Sequence, residues 1–297
     1  RKGRYMGTVE TKETDKQSLS NMMVGRPVQL EVSKKEATPT DIVLSVRDLR
    51  VPSRIHKNDA VCGVSFDVRA GEIVCLAGID GNGQTELIYS LTGLEKCSGG
   101  TITLCGKEIS HSSVHHRLEN MSHIPEDRHK HGLVLDFTLE QNMVLQRFQD
   151  PQFQTMGFIK QDAVREYAQE LIEKFDVRSG QGPVTISRSM SGGNQQKAII
   201  AREVDRDKPL IVAVQPTRGL DVGAIEYIHN ELVQERDQGK AILLVSLELE
   251  EVMSLSDRIL VMYEGEIVGE LDPKKTDLQE LGLYMSGAKR HGKEEVG

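Results

Sequence analysis

The sequence IVCLAGIDGNGQT occupies residues 73–85 and joins an apolar run to a glycine-rich stretch. Residues 73–78 are almost entirely apolar, which is typical of a strand buried on both faces of a parallel sheet. The glycines that follow predict a tight turn, and a helix is expected to begin near Gln84. A strand, a glycine loop and a helix in this order place backbone N–H groups where they can surround an anion.

The glycine loop resembles the phosphate-binding pattern GxxxxGK[ST] in the same context. Thr85 supplies the hydroxyl expected to bind Mg²⁺, whereas Gln84 stands where the pattern has lysine. An amide donates a hydrogen bond but neutralises no charge, so we expect weakened affinity for a terminal phosphate. An ordinary glycine turn is the alternative, and the strand–loop–helix order favours the phosphate site. The candidate nucleotide-binding residues are Gly78, Asp80, Gly81, Asn82, Gly83, Gln84, Thr85 and Glu86.

Strand and helix patterns surround this loop on both sides. Strands are predicted at 42–46, 61–68, 210–214, 241–245 and 258–262, a hairpin at 99–110, and helices at 222–235, 248–255 and 278–285. The middle stretch, about 128–189, has apolar residues at helical spacing in 162–175 and is expected to be a small helical insert. Buried strands with crossover helices predict an α/β fold with a parallel sheet.

The two ends of the chain differ from its dense centre. Residues 1–27 read as the tail of a preceding domain, and residues 28–41, rich in Lys, Glu, Thr and Pro, read as a linker. The main domain is expected to span 42–288, and the polar tail 289–297 is expected to be loose. Within the first segment, the sequence predicts a strand at 5–9 and a helix at 15–23.

Composition narrows the classes of function. The formal net charge is −8, aromatic residues make up 4% and tryptophan is absent, which disfavours nucleic acid as a partner. The four cysteines form no CxxC pair, so reduced thiols are expected rather than a disulfide framework or a zinc site. Six histidines between residues 111 and 131 are expected on a solvated surface rather than around a metal. No apolar run is long enough to span a bilayer.

A second motif, SMSGGNQQK, occupies residues 189–197 just before a helix predicted over 195–202. It closely resembles the LSGGQ signature of the ABC ATPases. A serine hydroxyl and glycine N–H groups at a helix start suit the γ-phosphate of ATP. A capped helix is the alternative reading, and the phosphate loop and helical insert upstream favour the signature. The signature residues are Ser189, Met190, Ser191, Gly192, Gly193 and Asn194.

Two further motifs follow the order of that family. PTRGLD at 216–221 resembles the end of Walker B running into the D-loop, which would contain Gly219, Leu220 and Asp221. IPEDR at 124–128 lies where the Q-loop is expected, with Glu126 at the glutamine position. The resemblance, which covers about residues 41–288, implies catalytic and metal-binding roles for Glu126, with Thr85 as the other metal ligand. It also implies a P-loop NTPase core of ABC type with an antiparallel β subdomain.

A narrower resemblance is to importers of sugars and nucleosides whose ATPase carries both nucleotide-binding domains on one chain. MMVGRPV at 22–28, IPEDR, GNGQTEL and PTRGLDVGA carry this resemblance. It implies that the chain is the second domain, and that residues 1–11 are the last strand of the first. The implied partners are that preceding domain, transmembrane permease subunits and ATP, at the cytoplasmic face of the membrane. Arg128 and residues 133–137 are candidates for the permease-contacting surface, with a plain loop as the alternative.

Several groups that such ATPases use for hydrolysis are absent from this sequence. Gln84 replaces the phosphate-binding lysine, Val214 the Walker B carboxylate, Gln215 the catalytic glutamate and Leu247 the switch histidine. Residues 51–60 contain no aromatic residue to stack on adenine, which leaves Arg54 or His56. Because phosphoryl transfer depends on positioning and charge, we expect a degenerate pocket that binds ATP and Mg²⁺ weakly or not at all.

The signature is intact, so the resemblance implies that it completes the ATP site of the partner half. The isolated chain is expected to be inactive or nearly so, while the whole protein hydrolyses ATP. Two alternatives stay open: a non-transport ABC ATPase, and a structural half that binds no nucleotide.

Overall fold

A computed structural model describes residues 5–25, 27, 32–54 and 57–291, and its element order confirms the predicted α/β fold. The helices are α1 (Lys16–Val24), α2 (Gln84–Thr92), α3 (Val114–Arg117), α4 (Leu139–Met143), α5 (Gln161–Lys174), α6 (Gly192–Asp205), α7 (Val222–Asp237), α8 (Leu249–Leu255) and α9 (Leu278–Met285). The strands are β1 (Ile42–Pro52), β2 (Asp59–Arg69), β3 (Ile73–Ala77), β4 (Gly99–Leu104), β5 (Lys107–Glu108), β6 (Met121–Ile124), β7 (Gln154–Thr155), β8 (Phe158–Ile159), β9 (Leu210–Val214), β10 (Ala241–Ser246), β11 (Arg258–Tyr263) and β12 (Glu266–Leu271).

The central sheet has the strand order β12-β11-β3-β10-β9-β6. Strands β6, β9, β10, β3 and β11 run parallel, and β12 is antiparallel to β11. The register pairs Ser246 with Ala77, and Val245 with Val214. The carboxyl ends of β3, β9 and β10 therefore meet at one edge of the sheet, where α/β proteins bind their ligands.

The residues of β3 divide between two apolar cores. Ile73, Cys75 and Ala77 face a core that also contains residues of α6, α7, α8 and α9. Val74 and Leu76 face the other core, which contains α2 and the antiparallel sheet β2-β1-β4-β5. This alternation buries β3 completely, as the apolar run at 73–78 predicted.

The middle stretch is helical only in part. Helix α5 buries Val164, Tyr167, Ala168, Leu171 and Ile172, which is the face that helical spacing predicted. Between α4 and α5 lies the short antiparallel pair β7–β8, which no pattern in the sequence predicts. Its turn residues Met156 and Gly157 both have positive φ, a conformation typical of two-residue hairpin turns. Methionine there gives no turn signal in a sequence, so the hairpin was missed.

The beginning of the chain differs from expectation in one element. The prediction of a strand at 5–9 is wrong, because residues 5–10 form neither a strand nor a helix. The helix expected at 15–23 is present as α1, because the Asp15 carboxylate accepts a hydrogen bond from Ser18 N at 2.7 Å. Gly25 ends it with φ 76°. Residues 1–4, Arg26 and 28–31 lie outside the described part of the chain.

The described part of the predicted linker is bound to the main domain. Lys34 Nζ lies 2.9 Å from an oxygen of Asp257 and donates to the Leu255 carbonyl at 2.7 Å. Thr40 N donates to the Ala70 carbonyl at 2.9 Å. A charged side chain that is mostly buried must be paired, so Lys34 fixes this segment to the domain surface.

The end of the described chain is also bound, contrary to the expectation of a loose tail. Lys289 N donates to Leu283 O at 3.1 Å, and His291 N donates to Val268 O at 2.8 Å. Residues 292–297 lie outside the described residues. Across the residues that the structure covers, none of the helices combines the length and the apolar character of a membrane span.

Candidate functional site

The glycine loop between β3 and α2 depends on glycine at two positions. Gly83, the residue that precedes α2, has φ 101°, and a Cβ there would overlap the carbonyl oxygen of Ala60. A Cβ on Gly78 would lie 2.6 Å from the carbonyl oxygen of Met262. Both contacts are with backbone, which cannot move aside, so side chains are excluded for steric reasons.

Asn82 attaches the loop to the turn between β11 and β12. Its side chain donates to the Ile79 carbonyl at 3.0 Å and accepts from Glu264 N at 2.8 Å. Gly265 N donates to the Asn82 carbonyl at 3.0 Å. Asp80 and Gly81 are exposed at the tip of the loop. The loop therefore has a fixed shape in the described structure.

Gln84 faces into the loop rather than outward. Its side chain is 6% exposed, and Nε2 donates to the Ile79 carbonyl at 3.1 Å. The amide is thus satisfied within the protein, at the position where the family's pattern has a phosphate-binding lysine. Thr85 follows with an exposed side chain, and Glu86 places a carboxylate in the first turn of α2.

The other three predicted pocket positions follow neighbouring strands at the same sheet edge. Val214 ends β9 with 6% exposure, and Leu247 follows β10. Gln215 has φ 43°, and its N–H donates to Val245 O at 2.8 Å. Leu247 therefore follows the strand next to β3, whereas Val214 and Gln215 lie one strand further along the same edge, and none of the three carries a charge.

Glu126 forms an ion pair with Arg218, whose side chain is 61% exposed. Its carboxylate, predicted to bind a metal, is thereby neutralised by a guanidinium. Within the described ranges, no cluster of three or more His, Cys, Asp or Glu residues could hold a metal ion. A paired carboxylate and one threonine hydroxyl form a poor donor set for Mg²⁺, which prefers several oxygen ligands. The predicted metal role of Glu126 and Thr85 stays a prediction.

The signature segment lies at the amino end of α6. Ser191 precedes the helix, which begins at Gly192 rather than at the expected residue 195. The Ser191 hydroxyl accepts from Asn194 Nδ2 at 2.9 Å and does not cap the helix. The N–H groups of the first turn therefore lack intrahelical partners.

The two residues before Ser191 are held by the protein. Met190 is buried, and the Ser189 hydroxyl donates to the Ile186 carbonyl at 2.7 Å.

The D-loop lies beside the signature. Gly219 and Leu220 lead into Asp221, which caps α7 by accepting from Ala224 N at 3.0 Å. A cavity of about 420 Å³ separates the two segments; among its lining residues are Ser191, Gly193, Asn194, Asp221 and Tyr227. The structure thus brings together the signature and the D-loop, which the sequence separates by the whole of α6 and β9.

A buried polar cluster beneath the D-loop was missed from the sequence. Glu251 on α8 is 4% exposed and accepts from the Thr217 hydroxyl at 2.6 Å, and His229 Nε2 lies 2.9 Å from the same oxygen. Burial acts to raise the pKa of Glu251, but hydrogen bonds from these partners and from Ser246 outweigh it, and the pKa is lowered. The cluster joins the segment after β9 to α7 and α8, and no spacing signal links its members.

Arg54, a candidate for adenine stacking, has other partners. Its Nε lies 2.9 Å from a carboxylate oxygen of Glu95, and its guanidinium is 5.8 Å from the centre of the Tyr89 ring. The Tyr89 hydroxyl lies 3.3 Å from His131 Nε2. His56, the other candidate, lies outside the described residues.

Residues 128 and 133–137 do not form one outward surface. Arg128 faces the signature, Leu133 is buried, and Val134 and Phe137 are exposed. The permease-contacting role of this region stays a prediction.

His123 departs from the expected solvated surface, and it yields a pH prediction. Burial lowers its pKa from 6.5 to about 4. As pH falls from about 6.5 to 4, His123 therefore binds a proton in the unfolded chain but stays neutral in the folded chain. We expect this histidine to cost up to about 3 kcal/mol of stability across that window. Urea unfolding at pH 7 and pH 5 measures the loss.

His123→Gln should flatten this pH dependence, whereas the exposed-site control His111→Gln should keep the wild-type profile. Equal pH dependence in all three proteins would contradict the assignment.

Comparison with known sequences places this geometry in a family. The sequence model described as ABC transporter matches residues 61–218. The nucleoside import ATP-binding protein NupA of Lactococcus lactis subsp. cremoris is 48% identical, covering 97% of this chain and 56% of the relative. The guanosine import ATP-binding protein NupO of Bacillus subtilis is 47% identical, with the same coverage of 97% and 56%. The chain therefore spans about half the length of the curated relatives it matches.

Solved structures share the fold. An ATP-binding subunit of an ABC transporter superposes with a TM-score of 0.66 at 21% identity, covering 82% of this chain and 99% of that one. A dimeric ATP-binding cassette in a post-hydrolysis state, bound to ADP and Pi, superposes with a TM-score of 0.67 at 20% identity, covering 78% and 100%. These structures show the fold, and the match of the ABC transporter model to residues 61–218 shows that the chain belongs to the ABC transporter family of ATP-binding domains.

Proposed function

We propose that this chain is the second nucleotide-binding domain of a tandem ATPase that powers an importer of nucleosides or sugars. Its relatives are import ATP-binding proteins about twice as long as the matched region, which supports a two-domain protein. In this proposal, residues 42–288 form the domain and 128–189 its insert. Residues 1–27 belong to the preceding domain. The ATPase lies at the cytoplasmic face of the membrane against permease subunits.

The observation that carries this proposal is an asymmetry within one domain. The signature helix begins with free N–H groups beside a well-formed D-loop. The domain's own pocket has an inward-facing amide at Gln84 and a carboxylate at Glu126 that is already paired. Both features are expected if this domain acts only on the nucleotide of the partner half. The signature then serves that nucleotide, whereas the domain's own pocket does not catalyse.

The loss of hydrolysis in the domain's own pocket follows from charge. The expected lysine, two carboxylates and a histidine are replaced by Gln84, Val214, Gln215 and Leu247. Each group of this kind contributes on the order of 10²-fold or more in rate. Their joint absence removes both the metal site and the group that orients the attacking water.

We expect the isolated chain to release no phosphate from ATP above the rate without protein. The measurement is a single-turnover assay with the chain in excess over ATP and with Mg²⁺ present. Gln84→Ala serves as the control, because it removes the last polar group at the lysine position. Robust hydrolysis by the wild-type chain, lost in this variant, would contradict a degenerate pocket.

A second candidate is a structural half that binds no nucleotide, and the satisfied amide of Gln84 favours it. An ATP titration of the isolated chain, with and without Mg²⁺, separates the two. Saturable binding supports the transport half with a weak site. No binding at millimolar ATP supports the structural half.

A further inference from the structure

Arg128 is a partly exposed cation beside the signature whose side chain has few hydrogen-bond partners. It begins the short helical turn Arg128–Gly132, whose backbone is fixed because the Asp127 carboxylate accepts from His129 N and Lys130 N at 2.9 and 3.0 Å. Its Nε is buried and has no hydrogen-bond partner. Its one hydrogen bond among the described residues runs from Nη1 to Arg218 O and is long, at 3.4 Å.

The guanidinium of Arg128 lies against the signature glycine. A Cβ placed on Gly192 would be 2.9 Å from Nη2 and 3.3 Å from Cζ of Arg128. Gly192 is the first residue of α6, so the cation lies at the positive end of a helix dipole. A cation in this place is electrostatically unfavourable unless an anion is present.

No acidic side chain in the described structure provides that anion. Glu126, the nearby carboxylate, is paired with Arg218 instead. Arg117 is a purely structural arginine and serves as the comparison. Its guanidinium donates to the carbonyl oxygens of Ser90, Leu91, Ser110 and Ser112. Arg128 has no comparable set of acceptors, and an unsatisfied buried donor calls for a ligand.

We propose that Arg128 is a further phosphate-binding residue of the shared ATP site. Its guanidinium contacts the terminal phosphate of a nucleotide held by the partner half, beside the N–H groups of α6. A guanidinium suits this role because it donates two parallel hydrogen bonds to phosphate oxygens. This inference rests on the proposed trans role of the signature.

The test uses the assembled transporter with its permease and an intact partner half. Arg128→Gln should lower the kcat of ATP hydrolysis by about 10²-fold, the usual effect of removing one donor to developing charge. Arg128→Lys, which keeps the charge, should recover part of the rate. Arg165→Lys is the matched control, since Arg165 pairs with Glu140 on the insert and should retain wild-type kcat.

Vanadate inhibition separates phosphate contact from packing. Vanadate mimics the phosphoryl group during its transfer. The vanadate concentration that half-inhibits ATP hydrolysis should therefore rise at least tenfold in Arg128→Gln and by less in Arg128→Lys. A lowered Tm with unchanged vanadate sensitivity in both variants would overturn the proposal in favour of packing. The proposal would also be overturned if Arg128→Gln weakened assembly of the two halves without nucleotide and left vanadate sensitivity unchanged. That result would show that Arg128 pairs with a protein carboxylate rather than with phosphate.

A signature variant measured in the same assay distinguishes this inference from the proposed function. If Ser191→Arg leaves turnover intact, the trans role itself fails. If Ser191→Arg stops turnover while Arg128→Gln keeps the wild-type rate and vanadate sensitivity, only the role of Arg128 fails.

Discussion

Replacing Ser191 with arginine is expected to reduce ATP turnover of the assembled transporter by about 10³-fold or more. Ser191 stands immediately before α6, and its hydroxyl accepts from Asn194 beside the helix N–H groups. In the proposed arrangement, an arginine side chain would fill the space through which the partner's nucleotide approaches these donors. Removing a single preorganised donor costs about 10²–10³-fold in kcat, and blocking the whole helix end removes several.

The measurement is steady-state phosphate release by the transporter in membranes. Ser33→Arg is the matched control, because Ser33 is exposed on the segment that leads into the domain. It introduces the same charge and bulk far from the signature in sequence, and it should retain wild-type turnover. Unchanged turnover in Ser191→Arg would refute the trans role, whatever the pocket of this domain does.

Gly83→Ala is expected to lower the free energy of unfolding by about 3 kcal/mol or more. Two effects add at this position: φ is 101°, which disfavours any side chain, and the new Cβ overlaps the carbonyl oxygen of Ala60. The obstructing atom belongs to the backbone of β2, so relief requires a shift of the antiparallel sheet. Urea unfolding of the nucleotide-free chain measures the loss independently of any activity.

Gly81→Ala provides the comparison. Gly81 has φ 88°, but a Cβ there meets nothing within 4 Å. Only the backbone strain remains, which costs about 1–2 kcal/mol. Equal destabilisation by the two substitutions would show that the packing of the loop against β2 contributes nothing.

Much of this fold could be predicted from the sequence, because the deciding signals are local. The sheet, the loop and α2 could be predicted from the apolar run before Gly78, from the glycines that follow it, and from the alternation of later strands and helices. The sequence predicts the start of α6 three residues late, because Gly192 and Gly193 have low helix propensity. The helix nevertheless begins at Gly192, and the Ser191 hydroxyl accepts from the Asn194 side chain instead of capping the helix.

The chemistry between distant residues could not be predicted in this way. Glu126 and Arg218 are 92 residues apart in sequence, and their pairing depends on the adjacent ends of β6 and β9. The approach of Arg128 to Gly192 could not be predicted, because a sequence gives no side-chain direction in an irregular turn. Glu251 looks like an ordinary helix residue until Thr217 and His229 are placed around it.

The two cores that share β3 have an evolutionary consequence. The strand holds the domain together through alternate side chains, whereas Gln84, Gln215 and Leu247 follow β3, β9 and β10, and Val214 is the buried last residue of β9. Gln215 and Leu247 are partly exposed, so substitutions there change chemistry with little effect on packing. If the proposed trans role is right, a lineage can lose a catalytic centre at such positions one residue at a time while each intermediate remains folded and still presents its signature helix to a partner.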